Sequence, residues 1–326
     1  MLTSKLRRQK VMYQLSSLAR ATTIGVAPLP RGEAEVSIEQ LTSTHEAEVL
    51  DFLSRRPIHT VAMVGFISDN GLVSPLNRGT FYGCRNRRGE IEGVALIGHA
   101  TLMETTTDRA LQAFAEIAQQ TTNTHMIMGE QERINEFWNH YAEGGQAMRL
   151  ACRELLFELH WPIAVHEQVP GLRLTTVDDL QLVMPVQAQM ACDESGVNPL
   201  EKDPEGFRQR CTRRIEMGRT WILVQNNTLL FKADVISDTP EVIYLEGVWV
   251  NPDERGKGYG LRCMSQLAQT LLSRSESLCL LVNEKNTAAQ LFYKRAGYKV
   301  RSVYDTIFVE SGGLSVSEPR CATKLH

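Results

Sequence analysis

One order of strands and helices runs through the 326-residue chain twice, and that repeat constrains the fold more than any single motif does. "AEVSIEQLTSTHEAEVLDFLSRR", from Ala34, is a short alternating strand leading into a helix, and "GLRLTTVDDLQLVMPVQAQMACDE", from Gly171, repeats it. Ser43 with Glu46, and Thr176 with Asp179, have capping-box spacing at the two helix starts. Pro185 is placed to kink the second helix. A hairpin follows in each half: "TFYGCRNRRGEIEGVALIG" turns at "NRRG", and "TWILVQNNTLLFKADVIS" turns at "NN". Each half then closes with a helix, a short strand, a second helix and a long strand. These are "RALQAFAEIAQQ", "HMIMG", "INEFWNHYAE" and "RLACRELLFELHW", then "GLRCMSQLAQTLLSR", "LCLLVNE", "TAAQLFYKRAG" and "YKVRSVYDTIFVE". The pattern predicts an α/β protein of two units, at 35–162 and 172–310, joined through "WPIAVHEQVPG". Residues 1–34 are expected to be a flexible arm and 311–326 a flexible tail.

Charge and cysteine usage exclude several classes. The net charge is -3, so no nucleic-acid partner is expected. Residues 1–32 carry six basic side chains and no acid, which leaves -9 for the remainder. That arm has the look of a transit peptide or of a tail for an acidic surface, so organelle targeting stands as the alternative to a cytoplasmic location. No apolar run reaches membrane-span length, and no membrane partner is expected. Seven scattered cysteines without a CxxC pair predict free thiols and no metal site.

Between "YLEGVWV" and the helix from Gly260 lies "NPDERGKGYG", with Gly256, Gly258 and Gly260 beside Arg255 and Lys257. A glycine-rich turn from strand to helix presents orphan N–H groups and the positive end of the helix dipole, which suits an anion. Neither the Walker pattern nor GxGxxG is present. The stretch resembles the acetyl-CoA-binding motif of the GCN5-related N-acetyltransferases (GNAT), through Arg255, Gly258 and Gly260. "LLVNEKNTAAQLFYKRAGYKV" resembles that family's second signature through Asn283, Asn286, Tyr293, Gly297 and Tyr298. The resemblance covers 172–310 and implies two tandem GNAT-like domains, each a twisted mixed sheet flanked by helices.

It further implies that acetyl-CoA, as co-substrate and without a metal, lays its pyrophosphate on residues 255–260, Tyr259 included. The pantetheine would run beside Val248 and Val250, with Asn283 and Asn286 completing the site. The acceptor would be an amine of unknown identity, attacking directly in a ternary complex. Tyr293 is the expected proton donor to the leaving thiol. Glu246 is the candidate base, sharing a face with Tyr244 and Val248 if the strand is regular. A backbone N–H near Val248 is the candidate oxyanion donor. Asp193 and Glu194 are weaker candidates on the substrate side. The alternative is a non-catalytic acyl-CoA sensor or scaffold in which Tyr293 packs and Glu246 is structural. In the first half, "TLMETTTD" stands before the helix with no glycine, and with Glu104 and Asp108 against Arg109. Asn139 falls where Tyr293 would be, so the first half is expected to keep the fold without the catalysis. "YDTIFVE" is read as an exposed strand available for pairing, which leaves a homodimer open.

Overall fold

The computed structural model describes residues 36–310, so the expectations for the basic arm and the tail lie outside the described residues. The first half contains β1 (Ser37–Gln40), α1 (Glu46–Ser54), α2 (Pro57–Asn70), β2 (Gly79–Arg85), β3 (Ile91–Gly98), β4 (Ala100–Thr105), α3 (Asp108–Gln119), β5 (Met126–Glu130), α4 (Gln131–Ala142) and β6 (Met148–Leu159). The second contains β7 (Arg173–Leu174), α5 (Leu180–Ser195), α6 (Pro199–Lys202), α7 (Pro204–Glu216), β8 (Thr220–Gln225), β9 (Thr228–Asp238), β10 (Val242–Val250), α8 (Tyr259–Leu272), β11 (Ser277–Asn283), α9 (Thr287–Arg295) and β12 (Lys299–Val309). It is a mixed α/β fold with helices on a mixed sheet.

Local chemistry accounts for many boundaries. Asn226 and Asn227 turn the second hairpin with φ of 49° and 59°, the left-handed values that a tight two-residue hairpin needs. Thr176 and Asp179 form the expected capping box. The first half differs by one residue: Thr42 pairs with His45, whose Nδ1 accepts from the Thr42 N–H at 3.0 Å. Glu46 instead turns back to accept from the Leu72 N–H at 3.2 Å. α5 continues as a helix through Pro185. "TLMETTTD" is mostly strand: β4 runs to Thr105 and leaves two residues before α3.

All twelve strands lie in one sheet, ordered β1-β2-β3-β4-β5-β12-β6-β11-β10-β9-β8-β7. The two halves exchange their last strands. β12 pairs with β5 of the first half, β6 pairs with β11 of the second, and β6 and β12 pair with each other. Each half's helical core is therefore closed by a strand from the other. Phe157 and Leu159 of β6 are buried in the core under α8 and α9, while Ile307 and Val309 of β12 are buried under α3 and α4.

The first half also grips the second through α2. A Cβ at Gly65 would fall 2.1 Å from Ser237 Oγ, so only glycine lets α2 lie this close to β9. At the end of the same helix Arg219 donates to Asp69 at 2.6 Å and Arg213 donates to Asn70 at 2.7 Å. Cys84, Cys152, Cys211, Cys263 and Cys279 are free thiols, as expected. Cys192 departs from that expectation in being disulfide-bonded. No helix among the described residues is long and apolar enough to cross a membrane.

Candidate active site

β10 ends at Val250 and the chain turns through Pro252–Glu254, held by Asn251 accepting from the Asp253 N–H. Gly256 and Gly258 then take φ of 78° and 82°, and α8 begins at Tyr259. Among the described residues nothing accepts from the backbone N–H groups of residues 256 to 261. Six consecutive donors without a partner among the described residues thus lie at the positive end of α8. Gly260 is small for a separate reason: a Cβ there would stand 3.0 Å from Val250 Cγ2 and 3.2 Å from the Phe292 ring, so glycine lets α8 settle against β10. Arg255 folds back to the Val250 carbonyl at 3.3 Å, and Lys257 pairs with Glu254 at 3.0 Å, both at the exposed rim. The Tyr259 ring lies under the Arg262 guanidinium.

β10 and β11 pair in parallel only from Val242–Tyr244 to Ser277–Cys279, then diverge. On its other side β10 breaks register with β9 between Glu246 and Trp249, with Gly247 at φ 59°. A second irregularity follows Tyr244. The strand is not regular, so the even alternation expected to carry from Tyr244 to Val248 stops at the bulge. A buried ionic group lies under it. Lys232 Nζ reaches Asp234 at 2.6 Å, Gln187 at 2.6 Å and the Gly247 carbonyl at 3.3 Å. Asp234 also accepts from Arg214 at 3.0 Å and Thr220 at 2.8 Å. In a trans peptide the N–H points opposite to the carbonyl, so the Val248 N–H turns away from Lys232.

The gap between β10 and β11 joins two different faces. On one, Tyr293 is buried against Phe157, Phe292 and Tyr298, and its hydroxyl has no hydrogen-bond partner among the described residues. Burial pushes its pKa up, so the phenol stays protonated. Asn283 and Asn286 sit at the edge of this face with their oxygens occupied locally, accepting from the Lys285 and Ala289 N–H groups.

On the other face Tyr244 of β10 packs with Leu156 of β6 and Cys279 of β11. Alternation brings Glu246 to the side of Tyr244 and Glu154 to the side of Leu156. Glu194, near the end of α5, completes the group. Burial raises the Glu246 pKa, Arg214 lowers it and Asp234 raises it. Glu194 is pushed up to about 8 by its surroundings and by the charges of Glu246 and Glu154. Glu154 is raised by burial although Thr306 donates to it at 2.7 Å. Glu246 and Glu194 keep exposed surface, as does Asp193, which accepts from Gln189 within its own helix. Glu154 was missed in the sequence because it belongs to the other half. Its own strand, which also carries Arg149, Arg153 and Glu158, gives it no distinguishing trace in the sequence.

The first half has the same layout, closed. β4 and β5 pair in parallel only at Ala100–Thr101 with Met126–Ile127, then diverge around a pocket lined by Arg56, Glu104, Glu130 and Tyr304. Counting from the paired residues, Glu104 holds the place of Glu246. Arg56 fills that place, donating to Glu104 at 3.0 Å and to Glu130 at 2.6 Å. The start of α3 is capped by the Thr107 side chain and carries Asp108, which repels an anion. The cavity therefore lies away from the glycine loop, at a site whose anion cradle is gone.

Residues 193–298 match the model of the "Acetyltransferase (GNAT) family". No curated protein matches the sequence. A Drosophila protein of solved structure superposes with a TM-score of 0.62 at 14% identity, covering 85% of this chain and 99% of that one. A tandem GNAT protein from the clavulanic acid biosynthesis pathway superposes with a TM-score of 0.54 at 11% identity, over 86% and 100%. A GNAT-family acetyltransferase from Colwellia psychrerythraea gives 0.50 at 12%, over 83% and 99%. At residues 193–298 the chain carries a domain of the GNAT acetyltransferase family, within a fold shared with a tandem GNAT protein.

Proposed function

We propose that the protein is an acetyl-CoA-dependent N-acetyltransferase whose second half, 172–310, carries the reaction, the first half serving as a partner without catalysis. The observation that carries this reading is the row of six unpaired N–H groups at residues 256–261, opening beside the diverging strands β10 and β11. Glycines at 256 and 258 leave the cradle without side chains, which suits a pyrophosphate. When bound, acetyl-CoA supplies an acetyl group activated as a thioester. The backbone edge of β10 beyond Tyr244, at Val248 and Val250, is free of β11 and receives the pantetheine arm.

Glu246 accepts a proton from the acceptor's ammonium, a task its raised pKa suits. The Val248 N–H, aimed by Lys232's hold on the Gly247 carbonyl, donates to the developing oxyanion. Tyr293 gives its hydroxyl proton to the departing sulfur and regains one from the amine nitrogen by way of solvent. One C–N bond forms, one C–S bond breaks, and the ammonium loses two protons, one to sulfur and one through Glu246 to water. Arg255 and Lys257 attract the phosphates at the rim, and Tyr259, Asn283 and Asn286 shape the turns around them.

The test is calorimetry of acetyl-CoA on the wild type and on Gly258→Asp, followed by CoA release over an amine panel. Binding abolished in the variant and turnover in the wild type are expected. Absence of binding to the wild type would overturn the reading. The close ring packing of Tyr293 favours the sensor alternative. Tyr293→Phe separates the two, since a sensor keeps its affinity and has no turnover to lose.

A further inference from the structure

The face of the sheet that meets Glu246 is built from both halves. Glu154 arrives on β6, the strand the first half lends to the second, while Glu194 comes from α5 and Glu246 from β10. Close by, Lys232 and Arg214 are both bound to Asp234, and Arg153 is bound to Asp305. Among the described residues no basic side chain is bonded to Glu154 or Glu194, and Thr306 donates to Glu154. No three acidic, histidine or cysteine side chains among the described residues are placed to hold a metal ion. Tyr244, only 7% exposed, feels the charges of all three carboxylates, and its hydroxyl has no hydrogen-bond partner among the described residues. Its hydroxyl is not fully enclosed, so it faces the cleft, where a donor on an entering molecule can reach it.

The first half shows what fits such a place. There the carboxylate equivalent to Glu246 is Glu104, and it is joined by a second, Glu130. The Arg56 guanidinium lies between them, a built-in cation with two anchors. The second half has the carboxylates and leaves the cleft open.

We propose that the acceptor is a small dication of the α,ω-diamine class, with its reacting amine at Glu246 and its second ammonium between Glu154 and Glu194, next to the Tyr244 hydroxyl. This rests on the acetyl-transfer reading above. The C–N bond still forms at the amine facing Glu246, and the second ammonium keeps its protons throughout.

The full chain would be assayed for CoA release with butylamine, 1,4-diaminobutane, 1,6-diaminohexane and lysine, alongside acetyl-CoA calorimetry. We expect kcat/KM for one of the diamines to exceed that for butylamine by about 100-fold, the factor that two charge-assisted contacts of about 1.4 kcal/mol each represent. Lysine, with its carboxylate, falls below the diamines. Glu154→Gln and Glu194→Gln each cut the diamine-to-butylamine ratio by about tenfold, through KM, with the fold checked by circular dichroism. Equal rates for butylamine and the diamines, or a preference for lysine, would overturn the inference while leaving acetyl transfer intact. If acetyl-CoA binds but no amine turns over, diamine calorimetry decides. Binding weakened in Glu154→Gln supports the site, and no binding to the wild type refutes it. Failure of acetyl-CoA itself to bind sinks the parent reading instead.

Discussion

Asp234→Asn tests the buried ionic group under the bulge. The change keeps the shape and removes the one charge that Lys232 and Arg214 share. Asp234 and Lys232 are each 1% exposed, so the lysine cannot reach water by a small movement. Breaking a buried pair by removing one partner costs about 3–5 kcal/mol. Lysine has an escape, however: it can release its proton. At pH 7 that release costs about 4.6 kcal/mol, from about 3.4 units below an ordinary pKa near 10.4 at about 1.36 kcal/mol per unit. The penalty on Lys232 therefore has a ceiling, and the ceiling moves. By pH 9 it is about 1.9 kcal/mol, by the same arithmetic. Arg214 is less affected, because its side chain is 30% exposed and lies near Glu246. Urea unfolding of wild type and variant at pH 7, 8 and 9 measures the difference directly. The expected loss is about 3–4.6 kcal/mol at pH 7 and shrinks with rising pH. A loss below about 1 kcal/mol at pH 7, or one constant from pH 7 to 9, would refute this account of the pair.

Tyr293→Phe should leave acetyl-CoA affinity within a factor of about two and lower kcat by about 100-fold, the usual worth of a positioned acid; stopped-flow CoA release reads both. Glu194 is pushed up to about 8 in the fold against about 4.3 unfolded, so the wild type loses stability as pH rises through that window. Glu194→Gln has no such proton to lose, and its melting temperature should gain on the wild type between pH 5 and pH 8.5; parallel curves would contradict the crowding of Glu154, Glu194 and Glu246. Gly65→Leu must push α2 off β9, at a cost of about 1–3 kcal/mol measured by thermal melting; an unchanged melting temperature would show that the contact with Ser237 yields freely.

What could be read from residues in order is what local chemistry decides. The glycine loop, the double-asparagine turn and the Thr176–Asp179 cap each depend on a few consecutive residues, and all stand as expected. Ser43 and Glu46, one position on from Thr42 and His45, match the same template, and only the Leu72 N–H diverts Glu46. β4 reads as a loop because its polar residues, Thr101, Glu104 and Thr105, are buried, so no alternation survives. α2 and α7 were not recognised at all; α2 buries residues around much of its circumference. Glu154 could not be placed on the face of Glu246, because the exchange of β6 and β12 is set by pairing partners about 150 residues away.

That exchange has a consequence for synthesis. The first half's core stays open until Ile307 and Val309 arrive, so its apolar face must wait while residues 160 to 309 are made. At about 5–20 residues per second the wait is roughly 7–30 s, far longer than hydrophobic collapse. A ribosome-stalled chain ending near residue 290 should be cleaved by protease in the first half as readily as in the second. A first half already resistant at that length would mean it closes without its borrowed strand.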